Sequence, residues 1–299
     1  MPSEGIRFTE HREILRYEEI LRIVRIASNL GVSKTRITGG EPLVRRDIVS
    51  FIAFLSEIPG IEDISLTTNG VLLRRYAEDL YKAGLNRVNV SLDSLDPAKY
   101  ERITRGNHLS DVWNGIEEAE MVGLKPVKIN TVPIRGFNDD EILDFARLTI
   151  KRPIGVRFIE FMPIGPKEIW DEKKYISTEE IKEKIQTLGD LIPVKSDRQA
   201  GPAESYRLSE ALGTIGFISP ISNHFCSSCN RLRLTSDGKL RPCLFSESEI
   251  DLKNPMRDGC DDLEIERLLS LAVHVKPRGH GIREKVPSRF ERTMSKIGG

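Results

Sequence analysis

From Tyr17 to about Glu160 the apolar positions follow two spacings in turn, near 3.6 residues in longer stretches and near 2 in the short β-branched runs between them. "YEEILRIVRIASNLG" directs Ile20, Leu21, Val24, Ala27 and Leu30 to one face and stops at Gly31, a residue suited to a helix C-terminus. "KTRIT" follows as a strand. The pattern recurs as helix "LVRRDIVSFIAFLSEI", strand "DISLT", helix "VLLRRYAEDLYKAG", strand "RVNVSL", a helix from about Asp111 to Val122, strand "VKINTV", a helix from Asp139 to about Ile150 and strand "GVRFIEF". Strands alternating with helices predict parallel pairing through right-handed crossovers, hence an α/β fold, either a doubly wound sheet or a βα barrel.

Polar residues inside the strands separate the two. Lys34, Arg36 and Thr38 share one strand face, Lys128 and Asn130 another, and Glu160 stands two places before Met162. A flat sheet with helices on both faces would bury those groups unpaired, at roughly several kcal/mol for each ion. An open barrel lined with ligand-binding groups houses them better. The five strands are too few to close an eight-stranded barrel. The expected fold is therefore an incomplete βα barrel over residues 1–166, with an upstream strand missing. After about Pro166 the rhythm gives way to one helix near Thr178 to Leu188 and short β segments such as "SYRL" and "TIGFIS", a separate α+β region over residues 167–299.

Lys+Arg and Asp+Glu balance at 45 each, which argues against a general binder of nucleic acid or membrane surface, because both need a net positive field. Any anion must be met by local charge. The start has no apolar run flanked by lysines, and no stretch is long enough to span a bilayer, so the expected location is the cytoplasm. In that reducing setting four cysteines do not suggest a disulfide framework, and three clustered ones suggest metal.

Those three lie in "NHFCSSCNRLRLTSDGKLRPC", with Cys226 and Cys229 spaced C-x2-C and Cys243 following after thirteen residues. Asp237-Gly238 suits a two-residue hairpin turn, which would pair Ser236 with Lys239 and Leu232 with Cys243 and return the third thiol to the first two. One completion is a structural zinc site closed by His224 or Cys260. The other is an iron-sulfur cluster with three protein thiolates and one open iron. His224 is tightly spaced from Cys226, and Cys260 lies in the acidic "RDGCDD", so neither makes a convincing fourth ligand. Arg231 and Arg233 alternate with Leu232 and Leu234, so both guanidinium groups face one side, as forks suited to phosphate or a purine edge. Strand arginines that only solvate a surface are the plain alternative.

With "ITGGEP" and "CSSCNRLRLTSDGKLRPC" together, and with "TTNG", "NVSLDSLD", "EFMPIG" and the terminal Gly-Gly, the chain resembles the GTP 3′,8-cyclase family of radical S-adenosylmethionine enzymes from Met1 to Gly299. The resemblance implies an incomplete βα barrel whose [4Fe-4S] cluster cleaves S-adenosylmethionine, and a C-terminal [4Fe-4S] cluster whose open iron holds GTP. The 5′-deoxyadenosyl radical takes hydrogen from ribose C3′, the carbon radical attacks guanine C8, and 3′,8-cyclo-7,8-dihydro-GTP results, a lyase step of molybdenum cofactor biosynthesis. By the same resemblance Gly39, Gly40 and Glu41, with Pro42, hold the methionine end of the cofactor, and Ser91 and Met162 also bind it. Arg36, Thr67, Lys128, Arg231, Leu232 and Arg233 contact GTP, and Cys226, Cys229 and Cys243 hold the C-terminal cluster. The residues alone also allow a helix-starting proline at Pro42, a surface charge at Arg36, a strand-end cap at Thr67, a paired core lysine at Lys128 and a core methionine at Met162. Further implied are an electron donor for cluster reduction, a functional link to cyclic pyranopterin monophosphate synthase, a homodimer as a candidate assembly, and a Gly298-Gly299 tail directed at the active site. Cys260 has no counterpart and is expected to be a free thiol.

One departure bears on activity. The family's C-x3-C-x-Y-C segment for the first cluster is absent, and Cys260 alone cannot replace three thiolates. The expectation is that Met1 is internal to a longer cyclase, with an inactive GTP- and cluster-binding homologue as the alternative. A zinc-ribbon nucleic-acid module, resting only on the cysteines and arginines, is disfavoured by the neutral charge.

Overall fold

In the computed structural model, which describes residues 10–164, 170–194, 201–279 and 292–297, the alternation becomes one eight-stranded sheet. Its strands are β1 (Lys34–Ile37), β2 (Asp63–Thr68), β3 (Arg87–Ser91), β4 (Lys128–Thr131), β5 (Gly155–Ile159), β6 (Leu191–Pro193), β7 (Glu204–Leu208) and β8 (Thr214–Ile218). They lie in the order β1-β2-β3-β4-β5-β8-β7-β6. The first six in that order are parallel, and β7 and β6 finish the sheet antiparallel.

β1 to β5 neighbour one another in chain order, without the reversal that defines a doubly wound sheet. Crossovers of one hand then put their helices on one face of the sheet, which leaves the other face for a site. The expectation of five parallel strands is corrected to six. "TIGFIS", read as a short β segment of the second region, is the parallel strand β8 beside β5. It followed an antiparallel excursion rather than a crossover helix of the earlier rhythm, so nothing in the local pattern marked its direction.

Helices α1 (Tyr17–Asn29), α2 (Ile48–Ser56), α3 (Leu73–Lys82), α4 (Pro97–Thr104), α5 (Leu109–Val122), α6 (Ile142–Lys151) and α7 (Thr178–Gln186) accompany the sheet. The long helix read from Leu43 is broken: a 3-10 turn at Pro42–Val44 precedes α2, with Asp47 left-handed between them. A second, smaller core joins Ile23 and Ile26 of α1 to Leu240, Leu252, Met256, Ile265 and Leu269. Around them lie a small sheet of β9 (Arg233–Leu234), β10 (Lys239–Arg241) and β11 (Ile250–Asp251), then α8 (Lys253–Arg257) and α9 (Asp262–His274), with Leu252 at the junction of β11 and α8. The sequence reading passed over α9, although Asp261 caps it and Ile265, Leu268, Leu269 and Ala272 line one face. A last turn, α10 (Met294–Ile297), buries Ile297, while the Gly298-Gly299 tail lies outside the described residues.

Register converts the strand alternation into two unlike faces. Ile64, Leu66, Val88, Val90, Ile129, Val156, Phe158, Ile215 and Phe217 point to the helices and are buried. The intervening residues form polar rows across the sheet. Arg36, Ser65 and Arg87 stand level; Thr67, Asn89, Lys128, Gly155 and Thr214 form the next row; Ser91, Asn130, Arg157 and Gly216 the one after.

Candidate active site

The polar face is a basic floor. Arg157 donates from Nη1 to Asn89 Oδ1 at 3.1 Å, and buried Asn89 is itself fixed by donating to the Leu66 carbonyl at 3.2 Å. Arg87 lies 2.6 Å from Asp63, and Lys34 is 3.8 Å from the same carboxylate. Arg36 reaches Ser65 Oγ at 3.4 Å. It is open to solvent in area, since β1 is the edge strand, yet its guanidinium lies deep in the concavity, and that depth, then Arg87 and Arg231, lowers its pKa.

Lys128 carries the largest functional consequence: burial, followed by Arg157, Arg87 and Arg36, pushes its ammonium down to about 7. Burial, then Arg36 and Arg87, lowers Arg157 to about 9, so it stays charged at neutral pH. Such crowding of like charge costs stability unless an anion enters. Glycines leave room for it: a Cβ at Gly216 would stand 3.1 Å from Arg157 Cγ, and one at Gly155 would stand 3.2 Å from Lys128 Cγ. Of these groups the sequence singles out Lys34, Arg36 and Lys128. Arg87, Arg157 and Asp63 were missed, and their signal was their alternation with Val88, Val156 and Ile64.

At the C-terminal ends of β1 and β2, Glu41 joins the "GGEP" loop to the "TTNG" loop. Its carboxylate accepts from Thr68 Oγ1 at 2.7 Å, Asn69 N at 2.7 Å and Leu43 N at 3.0 Å. Nothing lies within 4 Å of where a Cβ would stand on Gly39 or Gly40, so a ligand can approach that backbone closely. Pro42 does start a 3-10 turn, so its ordinary reading holds as well. Ser91 is exposed at the end of β3, Thr67 half-buried one row below it, and Met162 half-buried beyond β5.

The cysteine hairpin faces this floor: Arg36 feels Arg231, and Arg233 feels Arg231 and Arg36. Burial first, then those neighbours, lowers Arg233 to about 10, while Cys229 and Cys243 both oppose the shift, which puts the two thiols near its guanidinium. Cys226 and Cys229 flank one 3-10 turn, with the Cys229 N–H on the Cys226 carbonyl at 3.2 Å. Burial would raise Cys229, but backbone and side-chain hydrogen bonds and the charge of Arg231 outweigh it, leaving the thiol lowered. Leu232 and Leu234 pack on the second core, as their alternation with the arginines requires. Lys276 donates at 2.7 Å to the carbonyls of both Arg231 and Pro242, tying the two arms together.

The hairpin register differs from the sequence reading by one residue. Leu234 pairs with Leu240 and Arg233 with Arg241. The turn has three residues, with Gly238 at φ 82° and the Thr235 hydroxyl accepting the Lys239 N–H at 2.9 Å. Asp237-Gly238 signals either turn length, and the threonine cap selects the longer.

No three His, Cys, Asp or Glu side chains among the described residues converge tightly enough to hold a single metal ion. Three half-exposed thiols, one favoured as thiolate by Arg231, are chemically suited to ligate an iron-sulfur cluster. Cys260 lies apart from them, against the second core, with its carbonyl held by Arg22 at 2.8 Å.

Buried Glu160 connects floor and hairpin. Its carboxylate accepts from Tyr175 Oη at 2.8 Å, Thr178 N at 3.1 Å, Ile221 N at 2.9 Å, Ser222 N at 3.0 Å, and the hydroxyls of Thr178 and Ser222. The strand end before Met162 is thereby bolted to the loop that leads into Cys226.

A singly wound parallel sheet with helices on one side, polar rows on the other and open glycine backbone at the strand ends fits a radical S-adenosylmethionine scaffold. Residues 2–149 match the Radical SAM superfamily, and residues 154–282 match the family described as Molybdenum Cofactor Synthesis C. Streptococcus suis SuiB bound to S-adenosylmethionine superposes with a TM-score of 0.62 at 16% identity, over 93% of this chain and 62% of that one, and shares the fold. A GTP 3′,8-cyclase from Thermodesulfovibrio yellowstonii is 54% identical over 301 residues, covering 100% of this chain and 92% of the relative. Those of Pelotomaculum thermopropionicum and Alkaliphilus metalliredigens are 51% and 50% identical with the same coverage. The chain belongs to the GTP 3′,8-cyclase family.

Proposed function

We propose that this protein is a GTP 3′,8-cyclase that converts GTP to 3′,8-cyclo-7,8-dihydro-GTP for molybdenum cofactor biosynthesis. The observation that carries the reading is the continuity of cations from the floor (Lys128, Arg157, Arg87) through Arg36 to Arg231 and Arg233, beside the thiols of Cys229 and Cys243. That path fits an elongated polyanion with a base at one end.

Cys226, Cys229 and Cys243 would hold the C-terminal [4Fe-4S] cluster, which supplies an iron position for the purine. Arg231, Leu232 and Arg233 would flank the base, Thr67 and Arg36 the middle of the nucleotide, and Lys128 the phosphates, with Arg157 and Arg87 as further phosphate donors. The open backbone at Gly39-Gly40 would take the methionine end of S-adenosylmethionine, with Glu41, Ser91 and Met162 around it. Glu41 is fixed by Thr68 and Asn69, so it would orient the cofactor without itself moving. An external reductant is required for the chemistry, and the product would pass to cyclic pyranopterin monophosphate synthase.

The 299 residues contain four cysteines, three in the hairpin and Cys260 apart, so they offer no ligand set for the radical-generating cluster. The reading to be told apart from it is a homologue that binds GTP and one cluster without turnover. The two are separated with protein made from its own gene, reconstituted with iron and sulfide without oxygen, and given S-adenosylmethionine, GTP and dithionite. Formation of 5′-deoxyadenosine and the cyclised nucleotide in equal amounts is expected. Tight GTP binding without either product would establish the second reading.

A further inference from the structure

We propose that Asp63 is a specificity-determining counter-charge of the nucleotide site: its carboxylate holds Arg87 back from anions, and only a polyphosphate competes it away. The inference rests on the reading of the floor as the phosphate-binding part of a GTP site.

Asp63 is the one acid among the inward-facing residues of β1 to β5 and β8, all of which are described. Opposing it on the same face are Lys34, Arg36, Arg87, Lys128 and Arg157. It is 8% exposed, and neither carboxylate oxygen accepts a hydrogen bond, although Arg87 Nη2 stands 2.6 Å away. The contact is therefore ionic and out of hydrogen-bonding alignment, with Lys34 as a more distant second cation at 3.8 Å. A buried carboxylate built only to stabilise the fold would have its lone pairs satisfied, as those of Glu160 are. Asp63 instead leaves the guanidinium held by charge alone, a hold that another anion can break.

The consequence is a threshold. An incoming phosphate must both repel Asp63 and take over Arg87, so a small anion gains little, whereas a triphosphate that also engages Lys128 and Arg157 offsets the repulsion. At the effective dielectric of about 20 that suits partly buried charges, one carboxylate several ångströms from a phosphate changes affinity roughly tenfold or more.

The test is a double-mutant cycle in the full chain carrying its C-terminal cluster, read by calorimetric titration with inorganic triphosphate. Asp63→Asn is expected to bind it at least tenfold more tightly than wild type. Arg87→Gln should bind it at least tenfold more weakly, and the Asp63→Asn/Arg87→Gln pair should return to within about threefold of wild type. Unchanged or weaker binding by Asp63→Asn would overturn the proposal. Should that single variant not fold, the near-isosteric pair, with no unpaired charge, decides: a pair as weak as Arg87→Gln alone also overturns it. GTP titrated into wild type is the separate control, because its failure would count against the nucleotide site, while the triphosphate series still reports on Asp63.

Discussion

Glu160→Gln is expected to lower the unfolding free energy by about 3 kcal/mol or more, as chemical denaturation would show. An amide of the same shape keeps one acceptor oxygen and turns its NH2 either to the two donors now on Oε2 or to the four now on Oε1, so buried donors are left facing donors. The effect should be concentrated on the loop before Cys226, because Ile221 and Ser222 supply three of those six bonds. GTP affinity should thus fall by more than affinity for S-adenosylmethionine, whose expected contacts at the "GGEP" loop are independent of Glu160. Acid behaviour gives an independent sign. Burial tends to raise the Glu160 pKa, but the bonds from Ser222, Ile221 and Tyr175 outweigh it and leave it below the ordinary 4.5. The stabilisation it contributes is therefore fully present above 4.5 and is lost as pH falls through its lowered folded value. The glutamine variant should lack that part of the acid transition.

Lys128 governs the second large effect, an uptake of close to one proton when GTP binds at pH 8. In the folded protein burial and three neighbouring arginines bring its pKa from 10.5 to about 7, so at pH 8 it is mostly neutral. A polyphosphate nearby reverses the balance of charge and restores the ammonium. Calorimetry in two buffers of different ionisation heat should show the uptake, and Lys128→Met should abolish it and weaken GTP about a hundredfold. An uptake that survives in Lys128→Met would sink the assignment. The sign for the ligand-free protein follows from the same shift: between pH 7 and 10.5 the unfolded chain holds a proton that the folded one has released, so this residue makes stability rise with pH across that window.

Much of the candidate site's polar face is legible in the sequence, because charge inside a strand is costly unless the strand lines a cavity. Lys34, Arg36, Lys128 and Asn130 pointed to an open barrel for that reason, and the sequential strand order confirms the class. Arg87 and Arg157 obey the same rule, but they became recognisable only when register set them level with Ser65 and Asn130. The parallel direction of β8 and the three-residue turn at Gly238 depend on partners distant in sequence or on one hydroxyl, Thr235, that either turn could accommodate. Glu160 was noticed as a strand charge two places before Met162, yet its function as a bolt lies in donors some 60 residues later, at Ile221 and Ser222.

Floor and cysteine hairpin are expected to act as one GTP site, and electron paramagnetic resonance of the reduced protein, reconstituted with iron and sulfide, tests that most directly. GTP is expected to change the cluster's spectrum, and Arg157→Gln, on β5 rather than on the β1 edge that holds Arg36, should raise the GTP concentration needed for half the change by about tenfold or more. A spectrum indifferent to GTP, or a single zinc ion held by four protein ligands where the cluster should be, would contradict it.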